Sequence, residues 1–437
     1  MCVIYGGGKV LKRIQVSLDG IRAAFQAVQR EASHKDTEKE ASVIQIIESV
    51  REEGEAALLR LGRQFDCPTL DCIEVTAAEW DSGAQQVGEG ERQLLHSAAS
   101  NIIRFHEKQR RSSWMDFGDG VVLGQLMRPV ERVGIYVPGG TAVYPSSVLM
   151  TAIPAKVAGV QSLIVTTPAQ RDGSIHPMVL AAARIAGVDR IFKIGGAQAI
   201  AVLAYGVGGV PSVDMIVGPG NAYVNIAKRM LWGVVNMDML AGPSEVCVLA
   251  DESAKAEWVA ADMITQVEHD SECAAYLVTT SPTLADETVA QIEAQVADLP
   301  RGSIIKTALD RHGAVLIAET LEQAIDLANA CAPEHLALMV KEPWSVVGSI
   351  RNAGAILMGS YSPQSVGDYW AGPSHTLPTS GAARYASPLN VDTFIKKTSV
   401  IAYGREAVQQ AGPSIAKLAR IEGFEAHARA VEKRLIG

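Results

Sequence analysis

The fold is decided by a stretch at residues 132–167, RVGIYVPGGTAVYPSSVLMTAIPAKVAGVQSLIVTT. The stretch starts and ends with short runs of apolar, β-branched residues, which are typical of buried strands, and its middle has the pattern of a helix. A strand, a helix and a second strand in succession place two parallel strands side by side under a covering helix. This stretch therefore predicts a parallel α/β sheet.

The same alternation of strands and helices continues along the chain and then starts again. Apolar runs recur at residues 190–195 (RIFKIG) and 213–218 (VDMIVG), and a second series begins at Glu245 with EVCVLAD. Within that second series, AAYLVTTS at residues 274–281 is similar to SLIVTTP at residues 162–168. We therefore predict an α/β protein with two similar Rossmann-like domains, each an incomplete, doubly wound parallel sheet.

On this pattern the chain divides into four predicted segments. Apolar residues repeat every three to four positions in residues 1–128, which predicts a helical amino-terminal region that packs on the second α/β domain. The first α/β domain is expected at residues 129–244 and the second at residues 245–385. Residues 386–437 end in a charged helical stretch, which predicts a tail that packs on something outside its own domain.

Composition points to a globular protein with a small-molecule partner. The 437 residues are 48% hydrophobic and 20% charged, which is ordinary for a folded chain. Lys plus Arg number 39 against 48 Asp plus Glu, and the formal net charge of −9 argues against nucleic acid or an anionic membrane as a partner. The longest uncharged apolar run, residues 199–210, is shorter than the ~20 residues that span a bilayer, and the amino terminus lacks a secretory signal core. We therefore expect a cytoplasmic protein.

Three glycine-containing turns follow predicted strands of the first α/β domain. They are YVPGGTAVYPSS from Tyr136, IGGAQAI from Ile194 and VGPGNAY from Val217. Ligands of open parallel sheets bind beyond the carboxyl ends of the strands, where helix N-termini offer free N–H groups to a phosphate. No GxGxxG fingerprint is present, so a phosphate-bearing ligand and ordinary tight turns both remain open from these residues alone.

An acidic side chain and an imidazole stand next to each other at Glu334 and His335, in the sequence CAPEHL. They lie at the predicted junction between a helix, residues 320–330, and a strand, residues 336–340. A partly buried carboxylate beside an imidazole is suited to general acid–base chemistry. A helix-terminating turn with polar residues on the surface is the alternative interpretation.

A second group of polar residues has the donor types of a metal site. Gln266 and His269 in QVEHD lie on one face of a predicted helix, and Asp368 lies in a long irregular stretch rich in Gly, Pro, Ser and Thr, residues 359–388. His427 lies in the tail. Carboxylate, carboxamide and imidazole donors suit zinc. Spacing alone does not show that the four residues meet, so structural histidines remain the alternative.

These motifs, together with several others, resemble those of the histidinol dehydrogenase family and occur in the same order. The resemblance runs from about residue 36 to the end and rests on nine motifs: RVGIYVPGGTAVYPSSVLM, GGAQAIA, GPGNAYV, DMLAGPSEV, QVEHD, APEHL, SVGDY, GPSHTLPT and EGFEAHA. It implies NAD-dependent oxidation of L-histidinol to L-histidine through L-histidinal, with one zinc ion per subunit and a homodimer with shared active sites. The first α/β domain would be the NAD side, the second the zinc and catalytic side, and the tail would be swapped between subunits.

The resemblance also implies roles for individual residues. It makes Glu334 and His335 the catalytic acid–base pair. The implied zinc ligands are Gln266, His269 and Asp368, with His427 supplied by the other subunit. The implied substrate contacts are Ser244, His335, Asp368, His375 and Glu422. The implied NAD contacts, on the three glycine-containing turns, are Tyr136, Gln198 and Asn221.

Three other functions remain open at this level. A related oxidoreductase that acts on another small polar alcohol would share the same motifs. A zinc hydrolase would use Glu334 to activate water and would leave the glycine-containing turns without a role. A two-lobed binding protein fits the repeated α/β pattern, but the lack of an export signal argues against it.

Overall fold

The computed structural model describes residues 3–5, 11–16, 20–28, 37–139 and 142–436. Residues 140 and 141, in the first glycine-containing turn, lie outside the described residues. The predicted α/β class is confirmed, because two sheets of mainly parallel strands are each flanked by helices. In the part of the chain that the structure describes, no helix is both long and apolar enough to cross a membrane.

The amino-terminal region consists of short strands and amphipathic helices. Its elements are β1 (Val3–Tyr5), β2 (Lys12–Gln15), α1 (Ile21–Val28), α2 (Thr37–Glu53), α3 (Glu55–Phe65), α4 (Ala77–Gln85), α5 (Glu89–Glu107), β3 (Trp114–Gly118) and β4 (Val121–Pro129). In α2 the buried residues Val43, Ile47 and Val50 recur at three- to four-residue spacing, so one stripe of the helix faces a core.

The first lobe is a five-stranded parallel sheet with its helices, within residues 132–237. Its elements are β5 (Arg132–Tyr136), α6 (Pro145–Ala158), β6 (Ser162–Thr167), α7 (Pro177–Ile185), β7 (Arg190–Lys193), α8 (Gly196–Tyr205), β8 (Met215–Val217), α9 (Ala222–Leu231) and β9 (Asn236–Met237). The strands lie in the order β7-β6-β5-β8-β9. Side chains alternate between two cores, since Leu163 and Val165 pack on one face of the sheet and Ile164 on the other.

The second lobe repeats this arrangement within residues 245–358. Its elements are β10 (Glu245–Ala250), α10 (Ala256–Val267), β11 (Ala274–Thr279), α11 (Pro282–Val296), α12 (Gly302–His312), β12 (Gly313–Ile317), α13 (Leu321–Cys331), β13 (His335–Met339), α14 (Pro343–Val346), a 3-10 turn (Val347–Ser349) and β14 (Ala355–Met358). The order β12-β11-β10-β13-β14 matches that of the first lobe, and β2 and β1 extend the β12 edge. Both lobes therefore have the order 3-2-1-4-5, as in the first five strands of a dinucleotide-binding sheet.

The amino-terminal helices α2, α4 and α5 pack on the first lobe, so the prediction that they pack on the second is wrong for them. Helix α2 lies against α8 and α9, α4 against α7, and α5 against α6. The elements that join the second lobe are β2, which pairs with β12, β1, which pairs with β2, and α1, which packs on α13. An apolar stripe in a sequence shows which helix face is buried, but it does not identify the partner.

The remaining residues link the lobes and then extend away from them. Their elements are α15 (Gln364–Tyr369), 3-10 turns (Ala382–Arg384 and Val391–Phe394), β15 (Ile395–Tyr403), α16 (Arg405–Ile421) and α17 (Glu425–Glu432). Helix α15 differs from the irregular structure predicted for residues 359–388. It has only six residues and contains Gly367, so it leaves little periodic signal in the sequence.

A small antiparallel sheet and the two tail helices stand apart from the lobes. Strand β15 pairs with β4, and β4 pairs with β3. Large apolar side chains are exposed on these elements, among them Phe117 on β3, Ile401 on β15 and Ile421 on α16. Apolar surface of this kind is typical of a region that another chain covers.

Candidate active site

Glu334 and His335 lie where helix α13 gives way to strand β13. The helix ends at Cys331 because Ala332 adopts a left-handed conformation with φ 45° and Pro333 follows, whose missing N–H prevents a further helical hydrogen bond. Glu334 occupies the turn, and His335 is the first residue of the strand. Both side chains are buried at the amino edge of the second lobe's sheet.

The Glu334 carboxyl group is held by the backbone of the neighbouring strand. Its Oε2 accepts a hydrogen bond from the N–H of Glu245, the first residue of β10, at 3.0 Å. Burial disfavours the charged form and raises the pKa of Glu334 to about 7, although the nearby His335 and the hydrogen bond from Glu245 act in the opposite direction. A carboxyl group with this pKa exchanges a proton readily near neutral pH.

His335 lies between two carboxyl groups. Its Nε2 is 3.4 Å from Oδ1 of Asp368, and its Nδ1 is 3.9 Å from Oε2 of Glu334. Burial lowers the pKa of His335, but the interaction with Asp368 and the charges of both carboxylates outweigh burial, so the net shift of the pKa is upward. The backbone of Glu245 adds to this shift, but no hydrogen bond of normal geometry reaches Nδ1. Nδ1 is therefore buried beside the carboxyl group of Glu334 and the backbone of Glu245.

Gln266 and Asp368, two of the predicted metal ligands, are brought together by Gln364. Gln266 lies near the carboxyl end of α10 and is 1% exposed. The Nε2 of Gln364 donates hydrogen bonds to Oε1 of Gln266 and, at 3.2 Å, to Oδ2 of Asp368. Burial raises the pKa of Asp368, but the interaction with His335 outweighs burial and the net shift is downward, so the group is ionised at neutral pH. A carboxamide oxygen and a carboxylate oxygen therefore face one point.

His269 and His375 lie close enough to interact electrostatically with each other, and His375 also interacts with Asp368 and His335. His269 follows the end of α10 and is exposed. His375 lies on the segment after α15, and its buried Nε2 has no hydrogen-bond partner. Burial lowers the pKa of His375, Asp368 opposes this shift, and the nearby His335 and His269 add to it. The fold thus gathers side chains that are about 100 residues apart in the sequence.

Ser244 lies at the same amino edge, and the predicted tail residues do not reach it within one chain. Ser244 immediately precedes β10 and is half-buried. Glu422 and His427 are exposed on the hairpin of α16 and α17. Across the described residues, no three His, Cys, Asp or Glu side chains form a metal-binding cluster.

The predicted NAD contacts lie at the carboxyl ends of the first lobe's strands. Tyr136 ends β5, is 4% exposed and accepts a hydrogen bond from the N–H of Gly196 at 3.2 Å. Burial raises the pKa of Tyr136 to about 12. Gln198 on α8 is also buried, whereas Asn221 is exposed and caps α9 by accepting the N–H of Val224 at 3.1 Å. Helix α8 starts after Gly195, whose backbone interacts with the carboxyl group of Asp66.

Inspection of the sequence missed two buried side chains beside the metal donors. Gln364 lies four residues before Asp368 on α15, and Asp262 lies four residues before Gln266 on α10. Asp262 is buried and has an oxygen without a hydrogen-bond partner, and burial raises its pKa to about 6. The i, i+4 spacing from a predicted ligand was the signal available for both residues.

Fold and site together define an α/β oxidoreductase of two lobes. The first lobe places the starts of helices α8 and α9 beyond the carboxyl ends of its strands, which is the usual place for a dinucleotide phosphate. The second lobe holds a buried acid–base pair beside candidate metal donors. A site for a hydride acceptor together with a pair that takes protons is what a dehydrogenase requires.

Comparison with known proteins identifies the family. The histidinol dehydrogenase family model matches residues 28–435. Histidinol dehydrogenase from Halalkalibacterium halodurans is 50% identical over 395 residues, which cover 90% of this chain and 93% of the relative. The enzyme from Heliobacterium mobile is 50% identical over 403 residues, which cover 92% of this chain and 94% of the relative. The crystal structure of histidinol dehydrogenase from Elizabethkingia anophelis has a TM-score of 0.92 at 35% identity and covers 98% of this chain and 99% of that one. The chain belongs to the histidinol dehydrogenase family.

Proposed function

We propose that this protein oxidises L-histidinol to L-histidine through L-histidinal, with NAD as the hydride acceptor and one zinc ion per subunit. Membership of the family supports histidinol oxidation and a role in histidine biosynthesis. The observation that carries the chemistry is the row formed by the buried Glu334 and His335 and the half-buried Asp368, next to Gln266. This row provides two proton acceptors at one edge of a sheet, as two successive oxidations of one carbon atom require.

The donors of the second lobe fit a zinc ion. Oε1 of Gln266 and Oδ2 of Asp368 converge on one amide nitrogen, and His269 adds an imidazole at the exposed end of α10. His427, the proposed fourth ligand, is exposed on the tail and available to another chain. When bound, zinc would hold the nitrogen atoms of the substrate in place, and NAD would accept the hydride.

His335 is the proposed base for the first oxidation, in which the alcohol loses a proton and a hydride. Asp368 lies beside Nε2 and favours the tautomer with the proton on that nitrogen, which leaves Nδ1 as the basic atom. Nδ1 is buried 3.9 Å from Oε2 of Glu334, so the hydroxyl group of a substrate at this nitrogen would lie beside both proposed bases. The two neighbouring carboxylates then stabilise the imidazolium that forms.

Glu334 is the proposed base for the second oxidation. It would take a proton from the water that attacks the aldehyde carbon, and the resulting hydrate would lose a second hydride to become the carboxylate. Water thereby supplies the second carboxylate oxygen, and NAD takes two electrons in each step. With a pKa of about 7, Glu334 is ionised in a large fraction of molecules at neutral pH, and the N–H of Glu245 keeps its carboxylate in position.

The remaining predicted residues are proposed to bind substrate and cofactor. The proposed substrate contacts are Ser244, His375 and Glu422, and the proposed NAD contacts are Tyr136, Gln198 and Asn221. For the substrate, the unpartnered buried Nε2 of His375 supports a polar ligand beside Asp368. For NAD, the position of these three NAD contacts at the carboxyl edge of the first lobe, beside the starts of α8 and α9, supports a dinucleotide there.

The direct test is the stoichiometry of the reaction. Protein, NAD and L-histidinol are mixed, and nicotinamide absorbance and histidine are measured together; two NADH should form for each histidine. Release of L-histidinal with one NADH would contradict the four-electron oxidation. NADH formation from another small polar alcohol, without any from histidinol, would contradict the substrate. Metal analysis of protein purified without added metal should find one zinc per chain.

We further propose a homodimer with shared active sites, in which His427 and Glu422 enter the site of the other subunit. The exposure of both residues and of the apolar surface on the small sheet and tail supports this arrangement. Mixing two inactive variants, Glu334→Gln and His427→Ala, tests it. After subunits exchange, half of the dimers carry one intact site, so about a quarter of wild-type activity should return. A mixture that stays inactive although the subunits have exchanged contradicts the shared site.

A further inference from the structure

Gln364 is the buried side chain that connects two of the proposed zinc ligands. It begins helix α15 and is 1% exposed. Its Nε2 donates to Oε1 of Gln266 on α10 and, at 3.2 Å, to Oδ2 of Asp368 one turn later on its own helix. Its own Oε1 is buried and has no hydrogen-bond partner. One amide group therefore spans two elements that lie about 100 residues apart in the sequence.

The surrounding acceptors fix the orientation of this amide. Oδ1 of Asp368 lies 3.4 Å from Nε2 of His335, so Oδ2 is the oxygen that faces Gln364. If the Gln364 amide were reversed, its Oε1 would face the oxygens of both Asp368 and Gln266, which would repel it. Both hydrogens of Nε2 are consequently used, one for each proposed ligand. The remaining lone pairs of the two oxygens are left for a metal ion.

We propose that Gln364 is a positioning residue that holds the oxygens of Gln266 and Asp368 in the orientation that binds zinc. The proposal rests on the zinc site of the proposed function. Gln364 touches neither substrate nor cofactor in this role and acts through the two ligands. Partners that orient metal ligands typically change metal affinity by about 10- to 100-fold when they are removed.

Zinc affinity, measured without turnover, tests the proposal. Wild-type protein and variants are stripped of metal with a chelator and titrated with Zn²⁺ in competition with a chromogenic chelator. We expect Gln364→Leu to bind zinc about 10- to 100-fold more weakly than wild type. Gln364→Met, which fills a similar volume without a donor, should show the same loss and keeps the test valid if the Leu variant does not fold. NAD affinity, measured by fluorescence, should be unchanged in both variants.

A matched control separates positioning from loss of a buried glutamine. Gln323→Leu removes another buried glutamine of the second lobe, at the start of α13, and should keep wild-type zinc affinity. The cobalt-substituted proteins add a spectroscopic measurement, since the visible spectrum reports the ligand geometry. The spectrum of Gln364→Met should differ from that of wild type, and the spectrum of Gln323→Leu should not.

Asp368→Asn distinguishes failure of this proposal from failure of the proposed function. If Asp368→Asn loses zinc while Gln364→Leu and Gln364→Met bind it as tightly as wild type, the positioning role is wrong and the zinc site stands. If wild-type protein does not bind zinc, or Asp368→Asn binds it normally, the zinc site itself is wrong. An equal loss of affinity in Gln323→Leu would also overturn the positioning role.

Discussion

The two lobes share one strand order, but their proposed sites lie at opposite edges of the sheets. In the first lobe, Tyr136 ends β5 and Asn221 caps the start of α9, both at the carboxyl edge. In the second lobe, Glu334 and His335 lie at the amino edge, just after α13 ends, and Gln266 lies near the end of α10. One architecture therefore supplies two different chemical environments within the same chain.

The direction of the helices explains this difference. In a strand–helix–strand unit, the helix starts near the carboxyl edge of the sheet and ends near its amino edge. Helix starts carry free N–H groups and a partial positive charge, which favour a phosphate. Helix ends carry free carbonyl groups and a partial negative charge, which favour a metal ion or an imidazolium. Two copies of one fold can thus be specialised for a dinucleotide and a cation by the edge that is used.

The largest expected effect comes from the second lobe alone. Glu334→Gln keeps the shape of the side chain but removes the base, so the rate of histidinal oxidation should fall by about 10²- to 10⁴-fold. The KM for NAD, whose proposed contacts all lie on the first lobe, should stay within about twofold of the wild-type value. Glu342→Gln, at an exposed position shortly after β13, is the matched control and should have wild-type kinetics. A large change in the KM for NAD in Glu334→Gln would show that the lobes do not work separately.

The pH dependence of histidinal oxidation should show the next effect. Because burial raises the pKa of Glu334 to about 7, the carboxyl group is protonated, and unable to act as a base, below that pH. The rate at saturating substrate should therefore fall about tenfold per pH unit below about pH 7 and level off above it. The same profile for Glu334→Gln should lack this step. A wild-type rate that is constant between about pH 5.5 and 8 would contradict the assigned role.

A smaller effect is expected from a substitution in the first lobe. Gly218 follows β8 with φ 111°, and a Cβ there would clash with the carbonyl oxygen of Tyr136. Gly218→Ala should distort this turn at a cost of about 1–3 kcal/mol and raise the KM for NAD by about 10-fold. Zinc affinity should not change. Gly233→Ala, where φ is 104° but nothing lies within 4 Å of the added Cβ, is the matched control and should leave the KM for NAD unchanged.

The strands and the acid–base pair could be predicted from the sequence because their signals are local. Runs such as RVGIYV and EVCVLAD are apolar on both faces, as strands buried between two layers of helices must be. Glu334 and His335 are adjacent in the chain, and the end of α13 beside them is marked by Pro333. The parallel sheets, their repetition and the location of the pair at a strand edge all followed from these local patterns.

The contacts between distant segments could not be predicted from local patterns. Nothing in the spacing of Gln266 and Asp368 shows that they share Gln364, because that contact depends on how α15 packs against α10. Helix α15 itself is too short to show a period. For the same reason the apolar stripe of α2 did not indicate that α8 and α9 of the first lobe cover it. The resemblance to a family supplied the candidate ligands, and the fold supplied the bridging amide between two of them.

The stretch formed by α15 and the residues after it connects the two lobes. It carries Asp368 on α15 and His375 beyond the helix, while Ser374 donates a hydrogen bond to the carbonyl oxygen of Met150 in α6 at 3.1 Å. The proposed substrate contacts Asp368 and His375 thus belong to a stretch attached to both lobes, whereas the proposed NAD contacts all lie on the first lobe. With this arrangement, NADH would be able to leave and NAD to enter between the two proposed oxidations, while L-histidinal stays bound and is not released.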